Sequence, residues 1–231
     1  MKKVVFLVFI LGYSFMVMAQ RDAPDLFRSY ENNLQFIDNS PETNPFYLEA
    51  EGSPYINDKF KPAIIYPDNK PFLVRYNAKD DRIEVQLKEG KFLSLDNQKR
   101  DYGVVMKETG TVYQTLYSEG VKMAGYFIEV VNGKNVSVYK KQVKKFVEGK
   151  DASENYGVEK PPYFTDPENI FFVQLEPNGK IQELPKRKKS FIKLFKENEG
   201  AVKKYLSDHK INLSNESDIK KVITYINTLY S

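Results

Sequence analysis

The stretch from Phe72 to Leu87 constrains the fold more than any other part of the sequence. Two sets of apolar residues alternate there with their neighbours: Phe72, Val74 and Tyr76, and then Ile83, Val85 and Leu87. Period-two alternation is typical of strands with one buried face and one solvent-facing face. The connector 77–81 is rich in turn-forming residues. The two strands are therefore predicted to pair as an antiparallel hairpin.

The same hairpin pattern recurs along most of the remaining chain. Asn132-Gly133 between two apolar segments is a strong hairpin signal, and a turn at 177–180 predicts another. Shorter strands are predicted at 60–66, 92–95, 104–106 and 112–117. Pro62 interrupts the first of these, so we expect that strand at a sheet edge or starting after the proline. The whole pattern predicts an antiparallel β meander that forms a partly closed barrel or a sandwich.

Two segments carry no clear strand pattern. Residues 20–50 are irregular, and Asp25 is a candidate N-cap for a short helix near Asp25–Leu34. Residues 146–165 contain two glycines and two adjacent prolines. A connection of this length is predicted to be either a functional loop or a wrap over the sheet.

From residue 185 the apolar residues change to helical spacing. Three groups show it: Phe191, Leu194 and Phe195; Val202, Tyr205 and Leu206; and Ile219, Val222, Ile223, Ile226 and Leu229. Asn215, with Asp218 three residues later, predicts the start of the last helix. Because helices this short are unstable alone, they should pack on the sheet or on each other. We therefore expect an α+β protein with a β domain over 20–184 and a three-helix C-terminal appendage over 185–231.

The N-terminus has the three parts of a secretory signal peptide. A basic Met1-Lys2-Lys3 is followed by an apolar run over 4–18, and Val17-Met18-Ala19 suits a cleavage site before Gln20. The apolar run is shorter than the ~20 residues that a membrane-crossing helix requires. We expect residues 1–19 to be removed, leaving an exported chain without a transmembrane segment.

The residue inventory excludes several kinds of site. The chain has no cysteine, which excludes disulfides, thiolate metal sites and thiol nucleophiles. Its single histidine, His209, lies among lysines and is predicted to be a surface residue, so a three-histidine zinc site within one chain is excluded. We expect no cofactor and no metal.

The charge balance does not indicate nucleic-acid binding. Loss of the two lysines of the leader leaves 33 basic residues against 31 acidic ones. The basic run Lys186–Lys189 is predicted to be a solvated helix entrance, and binding to anionic lipid or nucleic acid is the alternative.

Catalysis has little support in the sequence. Close carboxylate pairs occur at Glu49/Glu51, Asp80/Asp81 and Asp166/Glu168. A glycoside hydrolase needs two acids that flank one bond, but acids are common in the turns where these pairs are predicted. No Walker loop, dinucleotide fingerprint or serine elbow occurs in the sequence.

Tyrosines recur along the predicted strands and supply the candidates for a ligand face. These are Tyr55, Tyr66, Tyr76, Tyr113 and Tyr126. Exposed, such rings suit sugar or peptide recognition because each combines a flat apolar surface with a polar tip. Buried, they are ordinary strand packing. Both alternatives stay open at this point.

Several segments resemble those of one group of bacterial proteins. They are Gly52-Ser-Pro-Tyr-Ile-Asn-Asp-Lys-Phe60, Val74-Arg-Tyr-Asn77, Ile83-Glu-Val85, Lys210-Ile-Asn-Leu213 and the tail 218–227. Together they resemble exported proteins of Bacteroidetes-type bacteria that have no assigned activity. The resemblance implies a Gram-negative envelope setting, either periplasmic or extracellular.

The predicted function is that of a non-enzymatic binding or structural module of the cell envelope. Its expected partner is an envelope protein, a peptide or an apolar ligand bound by the curved sheet. The alternative is a carboxylate-dependent hydrolase that acts on extracellular or envelope polysaccharide.

Overall fold

The computed structural model describes residues 36–37, 47, 49–88, 91–95, 102–116, 125–150, 157–175 and 179–230. Residues Phe36–Ser231 form one compact unit. The predicted signal peptide and the predicted helix near Asp25–Leu34 lie outside the described residues.

The described part of the chain is mostly antiparallel β-structure. Its strands are β1 (Phe36–Ile37), β2 (Lys61–Tyr66), β3 (Lys70–Asn77), β4 (Arg82–Lys88), β5 (Lys91–Leu95), β6 (Gly103–Met106), β7 (Val112–Thr115), β8 (Tyr126–Val131), β9 (Val136–Val143), β10 (Phe146–Val147), β11 (Tyr163–Phe164), β12 (Glu168–Leu175) and β13 (Ile181–Glu183). Eleven of these described strands form one sheet in the order β1-β5-β4-β3-β2-β6-β7-β8-β9-β12-β13, and β10 pairs with β11.

The predicted hairpins are confirmed. Strands β3 and β4 pair with Val74 opposite Val85, and both side chains are buried. Strands β8 and β9 flank the Asn132-Gly133 turn, and β12 pairs with β13 in the same antiparallel way. Alternation and turn chemistry therefore predicted these local pairings correctly.

The order of the strands differs from a simple meander. Strand β6 pairs with β2 instead of β5, and β2 is therefore an interior strand, so the expectation of an edge position for it was wrong. The strand includes Pro62, so it does not start after the proline either. Pro62 lies at the end of the β2–β6 ladder, where its carbonyl accepts from the backbone N–H of Lys107 at 2.9 Å. Only the reciprocal bond is lost there, because proline has no N–H.

The sheet curls but the described strands do not close it into a barrel. Its terminal strands, β1 and β13, do not pair with each other. The curl is shown by contacts between β3 and β9, which are not neighbours in the sheet. The backbone N–H of Lys144 donates to the carbonyl of Ala78 at 3.2 Å, and the Tyr76 hydroxyl to the carbonyl of Gln142 at 3.3 Å.

Short helices follow the sheet, as predicted. They are α1 (Lys188–Ile192), α2 (Glu199–Asp208) and α3 (Glu216–Thr228), with a 3-10 turn at Lys196–Asn198 between the first two. The Asn215 side chain caps α3 by accepting from the backbone N–H of Asp218 at 3.1 Å. Among the described residues, no helix has the length and apolar character needed to cross a membrane.

The helices share a hydrophobic core with the second half of the sheet. Its strand residues are Val130, Val136, Val138, Phe171 and Val173, and its helical residues include Phe191, Val202, Leu206, Ile219, Val222, Ile223 and Ile226. Val130 lies four residues after Tyr126 and therefore on the same side of β8. This shared core is thus on the side of the sheet that the curl encloses. The helices thus pack on the inner face of the sheet. In a closed barrel, further strands would cover that face.

Asn227 attaches α3 to the β8–β9 turn. Its side-chain oxygen accepts from the backbone N–H groups of Asn135 and Val136 at 3.1 and 3.0 Å. Its amide nitrogen donates to the carbonyl of Val136 at 2.9 Å. The side chain therefore satisfies the backbone of Val136 as a neighbouring strand would.

Candidate functional site

Three of the five candidate tyrosines lie in the interior of the curl. Tyr76, Tyr113 and Tyr126 are 6%, 7% and 1% exposed, and the ring of Tyr76 lies 5.1 Å from that of Tyr113 and 6.4 Å from that of Tyr126. Burial raises the pKa of Tyr113 to about 12. Burial, followed by the nearby Asp81 carboxylate, raises the pKa of Tyr76 as well. These rings pack the core and do not form an exposed face.

Tyr66 lies on the outer side of the sheet. It is 44% exposed and stands opposite Gly103 in the β2–β6 register. A ring carbon of Tyr66 lies 3.7 Å from the position that a Cβ on Gly103 would occupy. Its ring therefore covers the gap that the glycine leaves in the strand.

Tyr55 belongs to a group that we call the Arg75 cluster: Tyr55, Phe60, Arg75, Glu84 and Phe92. The guanidinium carbon of Arg75 lies 3.8, 4.5 and 4.9 Å from the ring centroids of Tyr55, Phe60 and Phe92, respectively. Arg75 also donates to the Glu84 carboxylate and to the Tyr55 hydroxyl, both at 2.7 Å. The three rings and the Glu84 carboxylate thus contact Arg75 of the protein itself and not a ligand. The cluster joins the 53–60 loop to the sheet.

The predicted carboxylate pair Asp80/Asp81 is also engaged. Asp81 accepts from the Tyr76 hydroxyl and the Lys141 ammonium, both at 2.7 Å, and Asp80 binds Lys79 at 2.8 Å. Asp81 thereby holds the β3–β4 turn against β8 and β9, whereas Lys79, the partner of Asp80, lies in the turn itself. The pair Asp166/Glu168 lies on the surface, where Glu168 faces Lys145 at 3.9 Å.

The third predicted carboxylate pair is Glu49/Glu51, and one of its members lies in the wall of a cavity of about 640 Å³. We call this cavity the Tyr47 pocket. Its lining residues are Tyr47, Glu49, Phe146, Glu148, Gly149, Lys150, Glu159, Lys160, Pro161 and Pro162. This volume lies within the usual range of ligand sites. Glu49 of the pair Glu49/Glu51 lines it.

One wall of the pocket is the β10–β11 ribbon. Phe146 pairs with Phe164, and the pairing extends outward to an antiparallel bridge between Lys150 and Lys160. The two lysines exchange backbone hydrogen bonds of 2.8 and 2.9 Å. Gly149 permits this close approach, because a Cβ there would lie 2.8 Å from the carbonyl oxygen of Lys160.

The opposite wall is the segment that contains Tyr47 and Glu49. The backbone N–H of Glu51 donates to the carbonyl of Pro162 at 2.8 Å, and that of Phe164 donates to the carbonyl of Glu51 at 2.9 Å. Tyr47 is thereby brought over the ribbon, with its ring centroid 5.0 Å from that of Phe146 and 5.2 Å from that of Phe164. We call these three rings the aromatic floor.

Lys79 fixes the Tyr47 ring from the β3–β4 turn. Its ammonium nitrogen lies 5.0 Å from the centroid of the ring. Partial burial would lower the pKa of Lys79, but hydrogen bonds to the Asp80 carboxylate and the Tyr47 hydroxyl outweigh it and raise that pKa. Tyr47 is therefore positioned before any ligand arrives.

The charged side chains of the pocket have no partner among the described residues. They are Glu49, Glu148, Lys150, Glu159 and Lys160, and all five residues are exposed. None of them forms a side-chain hydrogen bond or ion pair with any described residue. Within the described part of the chain, their charges are therefore left for a ligand.

A second groove, of about 440 Å³, shows the opposite arrangement. It lies between the β6–β7 turn and the start of α3, and its floor includes Met106, Tyr113 and Ile128. Five of its six charged lining residues form ion pairs: Lys61 with Glu108 at 3.0 Å, and Lys140 and Lys220 with Glu216 at 2.7 and 3.2 Å. The sixth, Glu129, accepts a hydrogen bond from the Gln114 amide at 3.3 Å. Burial would raise the pKa of Glu216, but the two lysines outweigh it and lower that pKa.

The single histidine and the basic run do not line the Tyr47 pocket. No group of three or more His, Asp or Glu residues in the described part of the chain is placed to hold a metal ion. His209 is exposed at the end of α2 and stacks on Tyr205, with the ring centroids 4.0 Å apart. The run Lys186–Lys189 is exposed at the entrance of α1.

The sequence contained a weak signal for the Tyr47 pocket. Its residues come from the two segments without a strand pattern, and the long connection 146–165 was predicted to be a functional loop or a wrap. Nothing in the spacing of Tyr47 and Phe146 predicted that their rings meet. Comparisons with protein-family models, with curated proteins and with solved structures found no match to this chain.

Proposed function

We propose that the protein is an exported, non-enzymatic binding module of the cell envelope that holds a peptide or similar small ligand in the Tyr47 pocket. Five charges around an aromatic floor, none with a partner among the described residues, carry this proposal. In the second groove, by contrast, the lysines are ion-paired with glutamates of the protein. We therefore expect a bound ligand to be the partner of the charged side chains in the pocket.

The chemistry of the lining suits binding. Tyr47 and Phe146 provide flat apolar area at a low cost in conformational entropy, and such rings dominate recognition surfaces. The surrounding carboxylates and ammonium groups provide charge-assisted hydrogen bonds, which fix the orientation of a ligand. Lys79 and the ribbon hold the floor in place, so little ordering has to accompany binding.

A hydrolase is the second candidate, because Glu49, Glu148 and Glu159 line one pocket. A glycosidase needs one carboxyl group that stays protonated near neutral pH, which requires an apolar, buried setting. All three glutamates are exposed. Release of reducing ends from an envelope polysaccharide, lost in Glu148→Gln, would favour the hydrolase.

Replacing Tyr47 by Ala should abolish ligand binding. The probe is a mixed pool of free dipeptides and tripeptides, added to the ¹⁵N-labelled chain 20–231 and followed by NMR. We expect shifts at Glu148, Lys150 and Lys160 in the native chain and none in the variant. Mass spectrometry should recover the peptides intact.

Tyr230→Ala serves as the matched control, because Tyr230 is an exposed ring near the end of the chain. It should leave the shifts unchanged. Shifts that persist in Tyr47→Ala, or that map to the second groove, would contradict the placement of the site.

Export is proposed from the leader over 1–19 and from the resemblance to exported proteins. Expression of the full chain in a Gram-negative host should yield a mature protein that begins at Gln20, outside the cytoplasm. N-terminal sequencing of the periplasmic and culture fractions measures this. A chain that retains Met1 in the cytoplasm would refute export.

A further inference from the structure

We infer that the ligand of the Tyr47 pocket is a short zwitterionic peptide, with its ammonium group over the aromatic floor beside Glu148 and its carboxylate between Lys150 and Lys160. This inference rests on the proposed function and specifies its ligand. Four features of the ribbon carry it.

The first feature is the alternation of residues along the strand that begins with β10. Phe146, Glu148 and Lys150 are two residues apart, so their side chains lie on one face of the ribbon. The contact between Phe146 and Tyr47 identifies that face as the one that lines the pocket. Outward from the floor, an aromatic ring, a carboxylate and an ammonium group therefore follow one another.

The second feature is the juxtaposition of two lysines. Lys150 and Lys160 stand directly opposite each other in an antiparallel bridge. Like charges in that position repel each other and destabilise the pairing. Neither ammonium has an acidic partner among the described residues. An anionic group placed between them would remove the repulsion, which makes the outer end of the pocket an anion site.

The third feature is the chemistry of the inner end. Glu148 and Glu49 line the pocket from its two walls, and neither carboxylate has a partner among the described residues. An ammonium group over an aromatic ring and beside carboxylates gains cation–π and charge-assisted hydrogen-bond energy together. Glu159 also lines the pocket, but the two lysines outnumber it at the outer end.

The fourth feature is the distance between the two charged ends. Positions 148 and 150 are two strand residues apart, which is about 7 Å. An extended chain spans about 3.5 Å per residue, so the termini of a dipeptide are separated by about the same distance. A dipeptide therefore satisfies both ends at once, and its side chains are left to contact the rings and prolines.

The test uses one dipeptide in four forms. Alanyl-leucine with free termini, N-acetylated, C-amidated and blocked at both ends is titrated into the chain 20–231 by calorimetry or NMR. We expect the free dipeptide to bind most tightly, and each blocked terminus to weaken binding about tenfold or more, because each block removes one charge-assisted contact.

Two variants assign the ends. Glu148→Gln should weaken binding of the free and C-amidated forms and leave the N-acetylated form unchanged. Lys150→Met should weaken the free and N-acetylated forms and leave the C-amidated form unchanged. Glu183→Gln and Lys203→Met, at exposed positions on β13 and α2, are the controls and should change nothing.

The outcomes separate this inference from the proposed function. Equal affinity for all four forms, with binding lost in Tyr47→Ala, would overturn the zwitterion inference and leave the binding module in place. Binding of the doubly blocked form in preference to the free one would do the same. Absence of binding of every form at millimolar concentration would overturn both.

Discussion

Replacing Arg75 by Met is expected to lower the free energy of unfolding by about 3 kcal/mol or more, because it leaves a buried carboxylate without its partner. Glu84 is 1% exposed, and the Arg75 guanidinium donates to it at 2.7 Å. Met fills part of the space among Tyr55, Phe60 and Phe92, so the loss reports mainly the stranded charge. Urea denaturation followed by circular dichroism measures it.

The loss should depend on pH. Burial already raises the pKa of Glu84 in the native protein, although hydrogen bonds and charge from Arg75 offset part of the effect. Removing Arg75 raises that pKa further. Between the ordinary and the raised value the native state binds more protons than the unfolded state, so stability falls as the pH rises. The variant should therefore recover part of its stability at pH 5 relative to pH 8.

The double variant Arg75→Met/Glu84→Gln provides the control. A neutral amide does not carry the desolvation cost of a charge, so the double variant should be more stable than Arg75→Met alone at pH 8. Its stability should also change less between pH 5 and pH 8. If the double variant is the less stable of the two at pH 8, the stranded-charge explanation is incorrect.

Replacing Gly125 by Ala is expected to lower the free energy of unfolding by more than about 4 kcal/mol, since it combines strain with the loss of a buried cluster. The backbone φ of Gly125 is +131°, and a Cβ there would lie 1.7 Å from Asp81 Oδ2 and 2.8 Å from Lys141 Nζ. Asp81 would have to move, and it would abandon the Tyr76 hydroxyl, the Tyr126 N–H and the Lys141 ammonium.

Gly110 supplies a matched comparison for this prediction. It also has a positive φ, +67°, but nothing lies within 4 Å of the position of its missing Cβ. Gly110→Ala should cost about 1 kcal/mol, which is the conformational term alone. Because +67° lies in the left-handed region and +131° does not, the difference between the denaturation midpoints of the two variants reports the greater strain at Gly125 together with the crowding. Equal losses would show that the Asp81 cluster contributes nothing.

The local elements could be predicted from the sequence because each depends on neighbouring residues. Alternation over 72–87 predicted β3 and β4, Asn132-Gly133 predicted the β8–β9 turn, and Asn215 with Asp218 predicted the start of α3. In each case the signal and the structure lie within a few residues of each other, where side-chain periodicity and capping act directly.

The candidate site could not be predicted in the same way. The five tyrosines were selected because they recur along strands, but exposure depends on which face the curl encloses. Tyr76, Tyr113 and Tyr126 lie on the enclosed face, whereas Tyr66 lies on the outer one. Period-two alternation separates the two faces but does not indicate which of them meets solvent.

The sequence by itself determined the antiparallel pairing of neighbouring strands, the change to helices near residue 185 and the exclusion of cysteine chemistry. The tertiary structure alone decided that β6 joins β2, that the helices cover the face that a barrel would enclose, and that Tyr47 meets Phe146 and Phe164. These features join residues up to 117 positions apart, as Tyr47 and Phe164 are. They follow from the burial of apolar area over the whole fold, which short-range spacing does not encode.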